Sequence, residues 1–413
     1  MATIFTANEE ASLLETAVRN YVQEIYPGNV LLAHIDRSPL GGSPHPIAIK
    51  KSGANVGTSF ANTIASAREV GRLEAKVNER LLYAIGLTNG PGARSSKGAG
   101  KKAIVDLAKD CESDTRMRGA SRLEKMLLSS TGYGEIAKVS ATFTGTTGAG
   151  TLTLTNAADA LYFQEGDVIA AKDVVNTASL RTGYFTLTGV DAQTGILSGT
   201  GGGSWDSSAG ATVAGAVIGM NGDLANSTVQ SSIIGLPGWL NRTSMDVEGL
   251  TAAQRAANPQ ITSGWYSTGS LSVRNSINLM ANQTFNVQGA KPSIVLVGTD
   301  DFQELQDDLG DRVVITEGKG TVSVNFEGIK FLTAKGKSVM VYCTPALQKD
   351  RYMLDPRSLH LLTPESEIWS PVANYGDRGF RSLEGSDALR LDLVCQAAFA
   401  ISHPGGQARY VRT

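Results

Sequence analysis

The run Gly100–Ser129 constrains this chain more than any other feature. It reads as one uninterrupted helix, bounded by Gly90-Pro91-Gly92 before it and by Thr131-Gly132-Tyr133-Gly134 after it. Twelve of the 25 residues from Lys101 to Lys125 are charged, seven basic and five acidic. The apolar row is thin, following Ile104, Leu107, Cys111, Thr115, Leu123 and Leu127. At 1.5 Å per residue the helix spans about 45 Å, more than a compact domain needs. A helix so long and so polar must bridge elements or lie between neighbours.

The 413 residues suffice for two or three domains without a metal or disulfide staple. Residues 1–138 hold 18 Lys+Arg against 14 Asp+Glu, and the remainder 19 against 25, within a formal net charge of −2. This mild asymmetry provides no basic stripe of the kind that reads nucleic-acid sequence, and leaves room only for weak non-specific contact with nucleic acid. Glycine, at 46 residues, exceeds its usual share, which points to turn-rich β structure. Cys111, Cys343 and Cys395 are odd in number and far apart, which reads as buried free thiols in a reducing compartment. Neither a secretory leader nor a membrane span is signalled.

Along the chain, Leu13, Leu14, Ala17, Val18, Tyr21, Val22 and Ile25 recur at helical spacing and stop at Pro27-Gly28. Two extended pieces, 47–51 and 73–88, are joined by the polar segment 60–71 and read as a long hairpin. Its faces carry too few apolar residues for a core, so it is expected to project onto another molecule. Residues 139–220 change character, with 14 Gly, 14 Thr and only 8 charged residues among 82. Their short alternating runs predict an inserted antiparallel barrel or sandwich.

Beyond residue 233 the pattern is α+β. Helices are expected at 270–287 and from Thr299 to a stop at Gly310, the second with Asp300 and Asp301 in its first turn. Strands are expected at 294–297, 326–332, 339–343 and 352–354. In Leu389–Ile401 every odd position is apolar, so one face of that strand must be buried.

No active site emerges, and the chain is read as a non-enzyme with no catalytic, cofactor-binding or metal-binding residues. The Gly/Lys-rich hinge 92–102 invites a phosphate-loop reading, and a nucleotide-binding enzyme using it is the rival from another class. The spacing fails, because Ser95 stands where Gly is needed and Lys102 where a hydroxyl should reach magnesium. His34, His45, His360 and His403 are isolated, without metal-ligand spacing. Asp300-Asp301 and Asp307-Asp308 read as solvated helix ends.

Taken in order, the N-terminal arm, the hairpin, the long charged helix, the α+β region and the long final strand resemble the major capsid proteins of tailed bacteriophages with the Hong Kong 97-type fold. Local stretches carry the likeness too: Leu123-Glu-Lys-Met-Leu-Leu-Ser-Ser-Thr-Gly-Tyr-Gly134, Gly235-Leu-Pro-Gly-Trp-Leu240, Phe326-Glu-Gly-Ile329, Tyr352-Met-Leu-Asp-Pro356 and residues 388–410. The resemblance implies an arm at 1–40, an E-loop at 41–92 and a peripheral-domain spine helix at 93–138. The inserted all-β module lies at 139–220, an axial domain at 221–345, and peripheral strands with a C-terminal return at 346–413.

As a major head protein the chain is expected to self-assemble, as pentamers and hexamers, into the icosahedral shell of a virion. That shell encloses double-stranded DNA and forms in the host cytoplasm. Implied partners are a separate scaffolding protein, a portal, a decoration protein and non-specific DNA, with no membrane. A cellular nanocompartment shell is a second reading of the same layout. Candidate assembly contacts are Arg68, Glu69 and Arg72 near the hairpin tip, and Lys50 or Lys51, which could crosslink to Asn374 of a neighbour.

Overall fold

The computed structural model describes residues 29–42, 44–50, 72–88, 100–140, 144–146, 149–173, 180–181, 183–201, 215–224, 230, 232–241, 246–257, 262–287, 289–309, 328–364, 368–372, 380–382 and 389–413. The N-terminal helix expected over 8–26 lies outside them. The first element is helix α1, Val30–His34, with Val30, Leu31 and Leu32 buried, followed by strand β1, Asp36–Pro39.

Strands β2, His45–Lys50, and β3, Arg72–Val77, pair antiparallel, from His45 opposite Val77 to Lys50 opposite Arg72. This is the expected hairpin, with two corrections. First, its base is docked: Ile49, Ala75 and Val77 are fully buried in the main core, with Ile47 and Leu73 packed beside them. The pairing puts these five on one face, so few apolar residues suffice. Second, residues 73–88 are not one continuous piece. Glu248 breaks them: its carbonyl accepts Lys76 N–H at 2.7 Å, and its carboxylate accepts the Asn78 backbone N–H at 2.9 Å and side-chain amide at 3.1 Å. The chain then starts strand β4, Arg80–Thr88, which belongs to another sheet.

Helix α2 is Gly100–Ser129, as the sequence predicts. It stops in two glycines with left-handed φ, Gly132 and Gly134. A Cβ at Gly134 would lie 2.1 Å from the Asp223 carbonyl, so this stop also lets two chain segments touch.

The next seven strands form the inserted module: β5, Ala137–Lys138; β6, Thr144–Thr146; β7, Ala149–Thr153; β8, Val168–Lys172; β9, Phe185–Asp191; β10, Ile196–Gly201; and β11, Val217–Met220. Their order is β5-β11-β8-β9-β10-β7-β6. A bridge between Val139 and Leu154, with Thr155 N–H donating to Lys138 O at 2.8 Å, joins β5 to β7 and rolls the sheet into a closed barrel. Val139, Leu152, Ile169, Phe185, Leu197 and Ile218 fill it.

Two short helices, α3 (Leu236–Trp239) and α4 (Ala252–Ala257), lead into the α+β region. It contains β12, Trp265–Gly269; α5, Val273–Thr284; β13, Ile294–Val297; α6, Thr299–Leu309; β14, Gly328–Leu332; and β15, Ser338–Cys343. The chain closes with β16, Asp350–Leu354; β17, Leu359–Thr363; β18, Ser370–Pro371; β19, Phe380–Ser382; β20, Leu389–Ile401; and β21, Ala408–Arg412.

One six-stranded sheet runs β12-β21-β16-β13-β15-β14. β16 and β21, which lie beyond the expected boundary at 345/346, join β13 in this sheet through pairs such as Ile294 with Leu354 and Tyr352 with Arg409. The other large sheet is built on β20, which pairs with β17, β18, β19 and β4. Its odd positions from Leu391 to Ile401 are buried, as the alternation requires.

Two smaller expectations are revised. Cys395 is a buried free thiol, but Cys111 and Cys343 are only half-buried. Asp301 is no solvated helix end: it is 1% exposed and holds the fully buried Arg351 in a two-pronged pair at 2.7 and 2.8 Å. Asp307 and Asp308 are exposed as expected.

Candidate assembly surface

Helix α2 lies on the face of the β20 sheet that presents the even-numbered residues of β4. The approach is close at Gly86, where a Cβ would meet Thr115 Oγ1 at 2.3 Å and Cys111 Sγ at 2.9 Å. Further along, residues 123–128 are buried all round, including the adjacent charged residues Glu124 and Lys125.

The charges explain how a polar helix can be a core element. Buried charges survive only when paired or fully hydrogen-bonded, and the buried and half-buried ones described on α2 reach several parts of the chain. Arg116 bonds Glu112 one turn away at 2.9 Å and the Trp369 carbonyl at 2.9 Å. Arg122 pairs with Asp223 at 2.5 Å, where the chain leaves the barrel. Lys125 donates to Asp159 of the barrel at 2.6 Å and to the Ala346 carbonyl at 3.0 Å. Burial pushes the Asp159 carboxyl up, against the pull of Lys125.

Glu124 accepts the Leu31 and Leu32 N–H groups of α1 at 3.3 and 3.4 Å. Burial pushes its carboxyl up to about 8, against those donors and the Thr344 hydroxyl. The helix thus ties α1, the barrel and the segment after β15 together.

A cavity of about 340 Å³ lies along this seam, lined among others by Lys125, Glu135, Lys138, Asp159, Asp350 and Arg409. Most of its charges are matched, Lys125 with Asp159 and Arg409 with Asp350, while Glu135 accepts from Ser130 and from the Thr131 and Tyr133 N–H groups. It is a seam between parts of the chain.

The opposite face of the same sheet is different in kind. On β4, Leu81, Tyr83, Ile85 and Leu87 are 52, 64, 54 and 64% exposed and alternate along one strand face. Opposite them on β20 stand Gln396, Val394, Asp392 and Arg390. Among the described strands β4 pairs only with β20, and its other edge meets none of them. An apolar strand face beside an unpaired edge is a template for another chain.

Of the residues singled out from the sequence, Lys50 and Arg72 stand opposite each other at the outer end of the described hairpin, and Arg72 is exposed. Lys51, Arg68, Glu69 and Asn374 lie outside the described residues, as do residues 92–99 of the Gly/Lys-rich hinge. Sequence reasoning saw the alternation at Leu81, Tyr83 and Ile85 but assigned it to the hairpin; the signal it missed was the polar break at Asn78-Glu79. Glu124 and Lys125 were hidden because charged neighbours in a charged helix look like solvent-facing residues. Among the described residues no group of three or more His, Cys, Asp or Glu is placed to hold a metal ion, and no helix is long and apolar enough to cross a membrane.

No family model matches the chain, and no curated protein matches it. Among solved structures it is similar to a chain of the cyanophage A-1(L) capsid asymmetric unit, with 12% identity over 91% of this chain and 89% of that one and a TM-score of 0.43. It is also similar to a chain of the satellite phage P4 procapsid with its size-determination protein, with 9% identity over 100% and 92% and a TM-score of 0.41. A virus-like particle from Pyrococcus furiosus aligns with 8% identity over 97% and 96% and a TM-score of 0.34.

Proposed function

We propose that this chain is a major capsid protein, a shell subunit that assembles with copies of itself into an icosahedral head around double-stranded DNA. The observation that carries this reading is the exposed row Leu81, Tyr83, Ile85 and Leu87 on strand β4. Each such side chain contributes roughly 1.5–3 kcal/mol when it leaves water. A subunit that presents four in line is built to be covered by a neighbour, and symmetry repeats the contact throughout a closed assembly.

The layout agrees with this reading. The described hairpin ends at the pair Lys50 and Arg72, and a long helix lies behind the neighbouring sheet. On this reading the candidate contacts Arg68, Glu69 and Arg72, with Lys50 and Lys51, meet a neighbouring copy. Pentamers and hexamers, a scaffolding protein, a portal, a decoration protein on the barrel and assembly in the host cytoplasm complete the reading.

The test is expression of the full chain, alone and with a scaffolding protein, followed by sedimentation and negative-stain microscopy. Closed particles are expected, and they should disappear in Tyr83→Lys and Leu87→Lys while circular dichroism stays native. A discrete small oligomer in every condition, or particles indifferent to both substitutions, would overturn the proposal.

A further inference from the structure

Hairpin β2–β3 and strand β4 follow one another in the chain yet belong to different sheets, and a third segment grips the joint between them. Residues 247–250 form a tight turn, closed by two backbone hydrogen bonds between Val247 and Leu250 at 3.0 and 2.9 Å. Both of those residues are buried in the main core, so the turn is anchored at its two ends. Its central residues, Glu248 and Gly249, have φ of 46° and 80°. A two-residue turn with both φ values positive favours Asn-Gly, because a longer side chain resists the left-handed region. Among the described residues Glu248 is the only one other than glycine found there.

What the unfavoured residue adds is reach. Glu248 is 7% exposed, and its Oε2 accepts both the backbone N–H of Asn78 at 2.9 Å and its side-chain amide at 3.1 Å. Its own carbonyl takes the Lys76 N–H of β3 at 2.7 Å. The next two residues are held on the other side of the joint. Glu79 accepts from Gln396 of β20 at 2.6 Å, and Arg80 donates to the Gln230 and Ser232 carbonyls at 3.1 and 3.4 Å. Of these three side-chain ties, Glu248 alone belongs to a residue that also holds β3.

A two-stranded ribbon is marginal by itself, and the apolar contacts of Ile49, Ala75 and Val77 that seat this one are not directional. Hydrogen bonds to a carboxylate are. We propose that Glu248 is a positioning residue for assembly, setting the direction in which hairpin β2–β3 leaves the subunit from a turn that asparagine would fold more readily. This role rests on the shell reading: a hairpin that meets a neighbouring copy must point the same way in every subunit.

Three variants of the full chain test it, read by hydrogen–deuterium exchange with mass spectrometry over residues 72–78 and 389–401, and by sedimentation and negative-stain microscopy of particles. Glu248→Asn suits the turn but withdraws the grip by one methylene. Protection over 72–78 should fall at least about tenfold, that over 389–401 should hold within about threefold, and closed particles should be lost. Glu248→Gln keeps the reach and an acceptor oxygen, and should restore both protection and particles. Asn78→Asp leaves the turn untouched and sets a second carboxylate against Glu248; it should match Glu248→Asn, and decides the matter if that variant does not fold.

The proposal is overturned if Glu248→Asn keeps 72–78 protected, if β20 opens in step with the hairpin, if normal particles form from a loosened hairpin, or if Glu248→Gln does no better than Glu248→Asn. Absence of particles from the native chain would instead be the failure of the shell reading, and this role would fall with it.

Discussion

The last turns of α2 and the outer face of β4 lie on opposite sides of one sheet and reverse the usual relation between residue type and environment. Residues 123–128 include Glu124 and Lys125 and are wholly buried, whereas β4 exposes Leu81, Tyr83, Ile85 and Leu87. The helix is polar because it must hold three structural parts at defined points, which directional hydrogen bonds do and apolar contact does not. On the proposed reading the strand is apolar because a neighbouring copy covers it. Buried charge here integrates the subunit; exposed apolar surface equips it to meet another.

That contrast predicts two different failures. Tyr83→Lys should abolish particles while moving the chain's own unfolding free energy by less than about 0.5 kcal/mol, as surface substitutions do. Lys125→Met should do the reverse, lowering the unfolding free energy by about 3–5 kcal/mol, because it leaves Asp159 charged and buried without its partner. Urea titrations of dissociated subunits read this directly. The double variant Lys125→Met with Asp159→Leu should recover most of the loss, since neither charge then remains. If the single and double variants are equally unstable, packing by the lysine stem, and not the ion pair, is what binds helix to barrel.

Much of this was legible in sequence, for reasons that differ between elements. Helix α2 and strand β20 are long and bounded by strong stops, so their limits follow from Gly132, Gly134 and thirteen alternating positions. The barrel announced itself through Gly, Thr and scarce charge. What sequence could not reveal was partnership between distant segments. Nothing local says that Glu248 will grip Asn78 and cut an apparent strand in two, or that β16 and β21 will join β13. Asp301 looked like an exposed cap because its partner, Arg351, is 50 positions away.

A gentler test of the same contrast lies at Gly86, where sheet and helix approach most closely. Alanine there would set its Cβ 2.3 Å from Thr115 Oγ1, and Thr115 is held to the Cys111 carbonyl at 2.6 Å, so it has little room to turn. Overpacking of this kind costs about 1–3 kcal/mol. Gly86→Ala should lower subunit stability by that amount. Pairing it with Thr115→Ala, which removes the Oγ1 that the new Cβ would meet, should relieve only part of the strain, because Cys111 Sγ at 2.9 Å remains.

The smallest effect belongs to the part of α2 that resembles an ordinary surface helix. Arg118 and Asp114 stand one turn apart at 3.6 Å, with side chains 53 and 72% exposed. An exposed pair at this spacing contributes about 0.3–0.5 kcal/mol and fades with salt. Arg118→Ala should therefore change the unfolding free energy by no more than about 0.5 kcal/mol, and raising the ionic strength to 1 M should erase the difference. Arg116, two positions away, carries the same charge but sits buried between Glu112 and the Trp369 carbonyl. Its replacement by alanine should cost several times more and resist salt, because the missing charge strands Glu112 out of reach of water. Equal losses at the two arginines would mean that charge on this helix acts through the general field of the protein, and the distinction between its buried and exposed faces would fall.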